Sequence, residues 1–461
     1  MALGFLAQQK NEAPPSFPSE PDCTGDAPIS ISDFPRRIQP CHVFSKTYHE
    51  ARQKFRQAAT QVGAELHALP VVVTTAEKEE EYTIDIAILP GNNNKNEAGL
   101  LVHTSGVHGV EGYAGSAIQI AFLESIYVKW KAQGSNNNAP QMPTIILIHA
   151  VNPYGMAKYR RTNEHNVDLN RNGLHVEEWS DEQMIKATQE PTEVYAPYQQ
   201  FGHFFNPQRA PTWWNAFIGL WTKAIVPLLR HGYYALKAAM VTGQYYFPRG
   251  IFYGGNQLEP SYKLLWEFFQ DYLQNHNYTG PVTWIDVHTG LGKSGQDTII
   301  LSNQQHHHSG QDALQTHFPG VSIPQTDNQE AQSVQKGYEQ SKGFAPKFFR
   351  RLFCTDNDNE QTNHHNYLGM VQEFGTVPGV LVAHALILEN QAYQYLPPEK
   401  ALEWAKVTTK RAFYKQTPEW RKSILERGLQ LVLQGIQRSS SLSVEKATEA
   451  AVGDDGAEGS G

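Results

Sequence analysis

Apolar runs of strand length that alternate with longer helical segments constrain the fold of this chain most. Strands are predicted near 69–74, 82–89, 99–104 and 143–149, and helices near 44–66 and 112–129. The alternation resumes with strands near 282–287, 298–302 and 369–374 and helices near 380–390 and 398–434. Strands separated by helices indicate a largely buried sheet covered on both faces. The pattern therefore predicts an α/β fold.

One domain with two tails is the predicted organisation of the 461 residues. Residues 1–40 and 437–461 show no apolar periodicity and are rich in Pro, Ser and Asp or in Ala, Glu, Asp and Gly. Such compositions predict disordered tails around a domain at 41–436.

A long excursion at about 174–280 separates two of the predicted strands. Lys223, Pro227, Arg230 and Lys237 interrupt its aromatic stretch, so no transmembrane segment is predicted. We expect helices that pack over the domain. Contact with a membrane surface or with a partner protein are the alternatives.

Charge and cysteine content limit the partners and the compartment. The chain has 38 Lys and Arg against 46 Asp and Glu, a net charge of -8, which argues against a nucleic-acid binding surface. Cys23, Cys41 and Cys354 are too few and too scattered for a disulfide framework, which favours a reducing compartment. The apolar patch at the start is too short for a signal-peptide core. A cytoplasmic location is therefore expected, and the sequence identifies no partner protein.

Two patterns resemble binding motifs without meeting their requirements. Gly290-Leu-Gly292-Lys-Ser-Gly295 has the spacing of a dinucleotide loop, but a β-branched run at 298–300 follows where a helix should begin. A glycine-rich turn after a strand is expected instead. The triplet His306-His307-His308 cannot direct three consecutive rings to one ion, so an exposed loop is expected there.

His108 and Glu111 follow the strand predicted at 99–104, in a glycine-rich turn. Glycines on both sides of His108 let the backbone bend, so that an imidazole and a carboxylate three residues apart can converge. Two converging ligands of this kind suit zinc. The alternative is a histidine bonded to nearby backbone and a glutamate that caps a helix.

A third candidate ligand, His288, stands at the end of the strand predicted at 282–287. Strand ends on one edge of a sheet meet in space. Asp286 points to the same side as His288 by the alternation of a strand, so it could orient the histidine or reach the site itself. A half-buried histidine with no ligand role is the alternative.

Two further segments strengthen the case for these candidate ligands. They are Asn152-Pro153-Tyr154-Gly155 and Asp168-Leu169-Asn170-Arg171. With the preceding His-x-x-Glu, the later histidine and a glutamate on a late strand, they make the chain resemble the metallocarboxypeptidase superfamily. The segments His-Thr-Gly-Leu-Gly and Gln-Glu-Phe-Gly-Thr are similar to the sequences of its DUF2817 branch. The resemblance covers roughly residues 44–435 and implies a mixed, largely parallel, eight-stranded type of sheet between helices.

The resemblance also implies a role for each matched residue. His108, Glu111 and His288 would hold one zinc ion, and Glu373 would be the general base. Arg161, in preference to Arg160, would stabilise the oxyanion.

The remaining matched residues would orient a ligand or hold the substrate. Asp168 would orient His108, whereas Asn170 and Arg171 would bind a substrate carboxylate. The planar guanidinium fork of Arg171 suits a bidentate grip on such a group.

These residues predict a zinc-dependent hydrolase that cleaves an amide bond next to a free carboxylate. A metallocarboxypeptidase acting on a peptide is favoured. A deacylase that resembles the succinylglutamate desuccinylase and aspartoacylase group, acting on small acylated amino acids, is the alternative, and a non-catalytic metal-binding protein is the third possibility.

Two features depart from the superfamily pattern. Tyr338 and Tyr367 precede Glu373, but neither sits in a motif that identifies the tyrosine that closes over the substrate. The excursion at 174–280 has no counterpart in the shorter members, and it is expected to build a wall or lid of the substrate cleft.

Overall fold

One seven-stranded sheet organises the part of the chain that the structure describes. The structure is a computed structural model, and it describes residues 23, 25–29, 37–74, 79–91, 99–128, 130, 142–193, 196–212, 214, 218–276, 281–301, 314–321, 342–354, 367–396 and 399–454. The strands are β1 (Glu65–Thr74), β2 (Glu79–Leu89), β3 (Leu100–Ser105), β4 (Thr144–His149), β5 (Val282–Ser294), β6 (Asp297–Leu301) and β7 (Tyr367–Gly375). The expected α/β class is confirmed, but the described residues contribute seven strands where an eight-stranded type was implied.

The sheet is parallel in its centre and antiparallel at both sides. Its order is β1-β2-β4-β3-β5-β7-β6, and the neighbours among β4, β3, β5 and β7 run parallel. The pairs β1-β2, β2-β4 and β6-β7 are antiparallel. Parallel strands end at the same edge, and the register sets Ser105 beside Val287 and His288 beside Glu373. The fold therefore brings the ends of β3, β5 and β7 together.

Helices cover both faces of this sheet and form most of the excursion. In the described part of the chain they are α1 (Pro40–Val43), α2 (Tyr48–Gln61), α3 (Gly112–Ala121), α4 (Pro153–Lys158), α5 (Val176–Trp179), α6 (Glu182–Gln189), α7 (Ala196–Gln200), α8 (Gly202–Phe205), α9 (Leu220–His231), α10 (Tyr233–Thr242), α11 (Pro260–His276), α12 (Ala345–Arg350), α13 (Gly379–Tyr395), α14 (Glu399–Phe413) and α15 (Pro418–Asp454). A π-helical segment, Phe122–Tyr127, continues α3. None of the helices in these ranges combines the length and the hydropathy needed to cross a membrane.

Strand β5 shows why the strands of this sheet are continuous runs of apolar residues in the sequence. Its residues are buried from Val282 to Gly290. Trp284 stacks on Phe349 of α12 with ring centroids 4.9 Å apart, whereas Ile285 faces α15 near Gly435. A strand with helices on both faces needs apolar side chains in both directions.

The excursion is helical, as predicted, and it carries α5 to α11. A small hydrophobic cluster joins it to the C-terminal half of the chain, with Leu236 and Phe252 of the excursion packed with Leu386 of α13 and Phe413 of α14. The glycine-rich segment after His288 continues β5 to Ser294 and opens no helix, which agrees with the rejection of a dinucleotide site. The triplet at 306–308 lies outside the described residues.

The folded part of the chain extends past both predicted boundaries. At the N-terminal side Ile29 is buried and pairs with Ile38, and Cys23 forms a disulfide with Cys41 across a Cα separation of 5.4 Å. At the other side α15 passes residue 436, and Ser439 Oγ lies 2.9 Å from Thr283 Oγ1 of the sheet. Composition missed these contacts because each depends on a distant partner. The disulfide corrects the expectation drawn from cysteine spacing.

Candidate metal centre

A glycine turn at the end of β3 places His108 and Glu111 at the sheet edge. Gly106 has a φ of 70°, in the left-handed region that glycine enters without a steric cost. A β-carbon on Gly109 would collide with the backbone of Gly155 in the Asn-Pro-x-Gly turn. Glycine therefore lets the two loops pack backbone to backbone, which fixes the direction in which His108 projects.

Three buried side chains direct their donor atoms to one point. His108 Nδ1 lies 3.1 Å from Glu111 Oε1, His288 Nδ1 lies 3.0 Å from Glu111 Oε2, and the two Nδ1 atoms are 3.0 Å apart. The three donor atoms lie within 4.8 Å of one another. Two imidazoles and one carboxylate so arranged could hold a divalent metal ion. The structure thus brings together the three residues predicted as ligands.

Two aspartates hold the far side of the histidine rings. Asp168 Oδ1 lies 3.0 Å from His108 Nε2, and Asp286 Oδ2 lies 2.8 Å from His288 Nε2. Thr104 in turn donates from Oγ1 to Asp286 Oδ1 at 2.6 Å. A carboxylate that accepts from Nε2–H leaves the lone pair of Nδ1 directed at the metal position. Both aspartates therefore stand where a ligand-orienting role requires them.

The charge balance of this edge also fits a cation. Burial lowers the pKa of the His288 imidazole, but Asp286 and Glu111 outweigh burial and hold that pKa well above its usual value. Burial raises the pKa of Asp168, yet Arg161 and His108 outweigh it, so that pKa lies well below its usual value. The protein itself thus favours positive charge at the point where the donor atoms meet.

Arg161 belongs to this cluster, and Arg160 does not. Arg161 donates from Nε to Asp168 Oδ2 at 3.0 Å and from Nη1 to Glu111 Oε1 at 3.1 Å. Arg160 turns away and donates to Glu389 Oε1 at 2.5 Å. Of the two adjacent arginines, the structure places the predicted one beside the metal position.

Glu373 stands next to His288 across the β5-β7 pair. Its Oε1 accepts a hydrogen bond from the backbone N–H of Leu291 at 2.8 Å. Burial and the charge of Glu111 raise the pKa of Glu373 to about 7, although His288 and the Leu291 N–H oppose them. A carboxyl with a pKa near neutrality is suited to accept and return a proton at physiological pH.

Asn170 and Arg171 are close to the cluster but are engaged by the protein. Asn170 Nδ2 lies 3.3 Å from His288 Nε2, and Asn170 Oδ1 accepts from Ala345 N–H at 3.1 Å. The buried Arg171 donates from Nε to Val241 O at 3.1 Å and from Nη1 to Asn170 O at 2.8 Å. A substrate carboxylate would have to share these donors with the backbone.

The family model described as "Protein of unknown function (DUF2817)" matches residues 44–427. This chain belongs to the DUF2817 family. The family match agrees with the branch expected from the sequence. No curated protein matches the chain.

Several solved structures resemble this DUF2817 member at low identity. One, assigned as a metallopeptidase from Shewanella amazonensis SB2B, is 13% identical over 79% of this chain and 91% of its own, with a TM-score of 0.33. Thrombin activatable fibrinolysis inhibitor is 11% identical over 79% and 73%, with a TM-score of 0.36. A protein assigned as a succinylglutamate desuccinylase/aspartoacylase, from Shewanella frigidimarina NCIMB 400, is 14% identical over 72% and 71%, with a TM-score of 0.31. Likenesses of this size carry no argument about the activity of the DUF2817 chain.

A cavity of about 100 Å³ opens beside the metal position. Its polar end is formed by His108, Glu111, Arg161, Arg171 and Glu373. The excursion lines the rest with Phe204, Phe205, Leu228, Leu236 and Met240, opposite Val382, Leu386 and Ile387 of α13. The excursion thus forms a wall of this cavity, and its role at a substrate cleft stays a prediction.

Sequence reasoning missed three groups at this edge. The backbone N–H of Thr289 donates to Glu111 Oε2 at 3.1 Å, beside the Leu291 N–H that holds Glu373. Phe252, with an unusual φ of 54°, places its ring 4.5 Å from Cζ of Arg161. The segment His-Thr-Gly-Leu-Gly was the sequence signal for the two backbone donors, because the strand that carries His288 continues through them. Nothing local marked Phe252.

Tyr367 is not among the residues that line the cavity. The hydroxyl of Tyr367 is buried and donates to Pro346 O at 2.5 Å, at the end of β7 opposite Glu373. Tyr338 lies outside the described residues.

Proposed function

We propose that this protein is a zinc-dependent hydrolase of the metallocarboxypeptidase type, which cleaves an amide bond next to a free carboxylate. The convergence of His108, Glu111 and His288, with His108 and Glu111 lining the same cavity as Glu373, carries the proposal. A single zinc ion fits this donor set, because two imidazoles and a carboxylate leave a position for water in catalytic zinc sites.

The zinc would lower the pKa of a bound water and polarise the substrate carbonyl. Glu373, which lines the cavity with His108 and Glu111, accepts a proton from the attacking water and returns it to the leaving nitrogen. Arg161, whose guanidinium reaches the cavity beside Glu111, stabilises the developing oxyanion. Asp168 and Asp286 keep the two imidazoles in the ligand orientation.

Arg171 and Asn170 give the preference for a free carboxylate in this proposal. Arg171 lines the same cavity as Glu373. A carboxylate there would form a charge-assisted hydrogen bond, whereas a neutral amide could not. The bonds of Arg171 to Val241 O and Asn170 O hold the guanidinium in place.

Two peptide pools test this proposal. Zinc-loaded protein should remove single C-terminal residues from peptides with free termini and leave amidated peptides almost intact, as followed by mass spectrometry. Arg171→Ala should reduce both the rate and the preference for free termini, and Arg171→Lys should restore charge but not the bidentate geometry. Equal cleavage of both pools would reject the carboxylate site.

A deacylase acting on acylated amino acids is the second candidate, and the apolar excursion wall favours it. The same zinc site and base would serve both reactions. Cleavage of N-acyl amino acids with both peptide pools inert would select the deacylase. No hydrolysis of any of these substrates by zinc-loaded protein would reject both candidates.

The cytoplasmic location stays a prediction, and the Cys23–Cys41 disulfide counts against it. Disulfides persist in oxidising compartments and are rare where glutathione keeps thiols reduced. Thiol labelling of the protein from its native source would distinguish the two locations.

A further inference from the structure

The wall of the cavity beside the metal position is apolar, although the chemistry at its end is polar. Leu228, Leu236 and Met240 come from α9 and α10, and Val382 and Leu386 come from α13. Lys237 and His384 are also at the wall. Protein interiors are close-packed, so a cavity held open between such side chains is suited to an apolar ligand group.

This apolar surface continues from the cavity to the solvent. On α9, Ile225 is 52% exposed, Val226 53% and Leu229 81%. They flank Leu228, which lines the cavity. Single exposed apolar residues are common, but adjacent ones at the mouth of an apolar cavity are typical of a binding surface. We call Ile225, Val226, Leu229, Val380 and Leu381 the rim.

The second helix at the mouth shows the same pattern. Val380 of α13 lines the cavity and is 38% exposed, and its neighbour Leu381 is 43% exposed. The charged side chains of α9 are the exposed, basic Lys223 and Arg230. An apolar entrance beside basic groups fits an anionic amphiphile better than a hydrophilic peptide.

We propose that the substrate is an N-acyl amino acid whose aliphatic acyl chain fills the cavity, with its carboxylate near Arg171. This inference rests on the second candidate of the proposed function, the deacylase, because an N-acyl amino acid has its amide bond next to a free carboxylate. Water adds to the acyl carbon, the carbon–nitrogen bond breaks, and one proton passes to the leaving nitrogen. The products are a fatty acid and a free amino acid.

A series of N-acyl glycines tests the chain directly. Acetyl-, octanoyl- and dodecanoyl-glycine are given to zinc-loaded protein, and kcat/KM is measured from the glycine released. Each buried methylene contributes roughly a fourfold gain, so octanoyl-glycine should exceed acetyl-glycine by roughly 100-fold if three to four of its six additional methylenes are buried, and by up to roughly 4,000-fold if all six are. Hydrolysis with no dependence on chain length would overturn the inference and leave the proposed function intact.

A cavity-filling variant links the preference to this site. Leu228→Trp should lower the ratio of dodecanoyl to acetyl kcat/KM at least about tenfold, because the indole occupies the space of the chain. Ile185→Trp is the matched control, because Ile185 is exposed on α6 in the same excursion and is not at the cavity. An unchanged ratio in Leu228→Trp would place the acyl chain elsewhere and overturn the inference.

Binding without hydrolysis separates the inference from the proposed function. The fluorescent fatty acid cis-parinaric acid should bind the wild type, be displaced by dodecanoyl-glycine, and bind Leu228→Trp more weakly. Such binding without any hydrolysis would reject the proposed function and support the ligand class. A dimer that Leu229→Arg splits, with the probe bound by neither form, would assign the rim to a second copy of the chain and overturn the inference.

Discussion

Two groups of histidine and glutamate in the described part of the chain have donor atoms within 4.8 Å of one another. One is the metal cluster of His108, Glu111 and His288. The other, which we call the outer cluster, is Glu164, His165 and Glu259. Their residue types are nearly the same, so their difference shows what makes such a group able to bind a metal.

The hydrogen bonds on the histidines distinguish the clusters. In the metal cluster both Nε2 atoms meet aspartates, which leaves both Nδ1 lone pairs directed at one point. In the outer cluster His165 is 58% exposed, and its Nδ1 already meets Glu259 Oε2 at 2.6 Å. The same oxygen accepts from Asn163 Nδ2 at 2.6 Å. The outer cluster therefore joins a loop to the start of α11, whereas the metal cluster is buried and has both of its imidazoles oriented by aspartates.

The largest expected difference is in catalysis. Glu373→Gln should reduce hydrolysis about 10³-fold while zinc content and folding are retained, because an amide cannot take the proton of the water. The same substitution in the outer cluster, Glu259→Gln, should leave kcat near wild type. Both are measured by steady-state kinetics on the best substrate. Near-normal turnover in Glu373→Gln would remove that residue from the mechanism.

Metal retention gives the second difference. His108→Ala should lose most of the bound zinc, and Asp286→Asn should weaken zinc affinity about 10- to 100-fold by loosening the orientation of His288. His165→Ala should keep one zinc per chain. Metal analysis after dialysis against a chelator series measures all three. Loss of zinc from His165→Ala, with full retention in His108→Ala, would exchange the roles of the two clusters.

The pH dependence of stability gives a smaller difference, in metal-free protein. The pKa of Glu373 is raised from 4.5 to about 7, so folding favours its protonated form, and stability is lost as the pH rises from 4.5 through 7. This loss amounts to about 3 kcal/mol. Glu373→Gln should remove it, so the variant gains on the wild type as the pH rises. Denaturant unfolding of chelator-treated protein measures the gain.

The outer cluster should show a weaker trend with the pH. The hydrogen bond to Glu259 raises the pKa of His165, so its contribution is present below the unfolded pKa and is lost as the pH rises through the folded one. Its exposure limits the effect to less than about 1 kcal/mol. If the stability of Glu373→Gln and that of the wild type change in parallel with the pH, then burial does not raise the pKa of Glu373.

Much of the sheet and the metal cluster could be predicted from the sequence. Each predicted strand overlaps a strand of the structure, because a buried strand is a local run of apolar residues in the sequence. His108, Glu111 and His288 could be found because their segments stand directly after strands that end at one edge. Asp286 followed from strand alternation alone.

The remaining features depend on partners far away in the sequence. Cys23 meets Cys41, and Ser439 meets Thr283, across contacts that no local pattern records. Composition therefore placed both domain boundaries too far inward. The resemblance distinguished Arg161 from Arg160, but only the tertiary structure showed that Arg160 pairs with Glu389.

The sequence by itself determined which residue types reach the sheet edge, because a strand fixes the direction and position of its own side chains. Only the tertiary structure decided that His108 and His288 have aspartates behind their rings while His165 has its Nδ1 engaged by Glu259. Only the structure placed an apolar wall beside the metal position. The physical reason is that ligand geometry and cavity shape arise where separate segments pack, and neither is a property of any one segment.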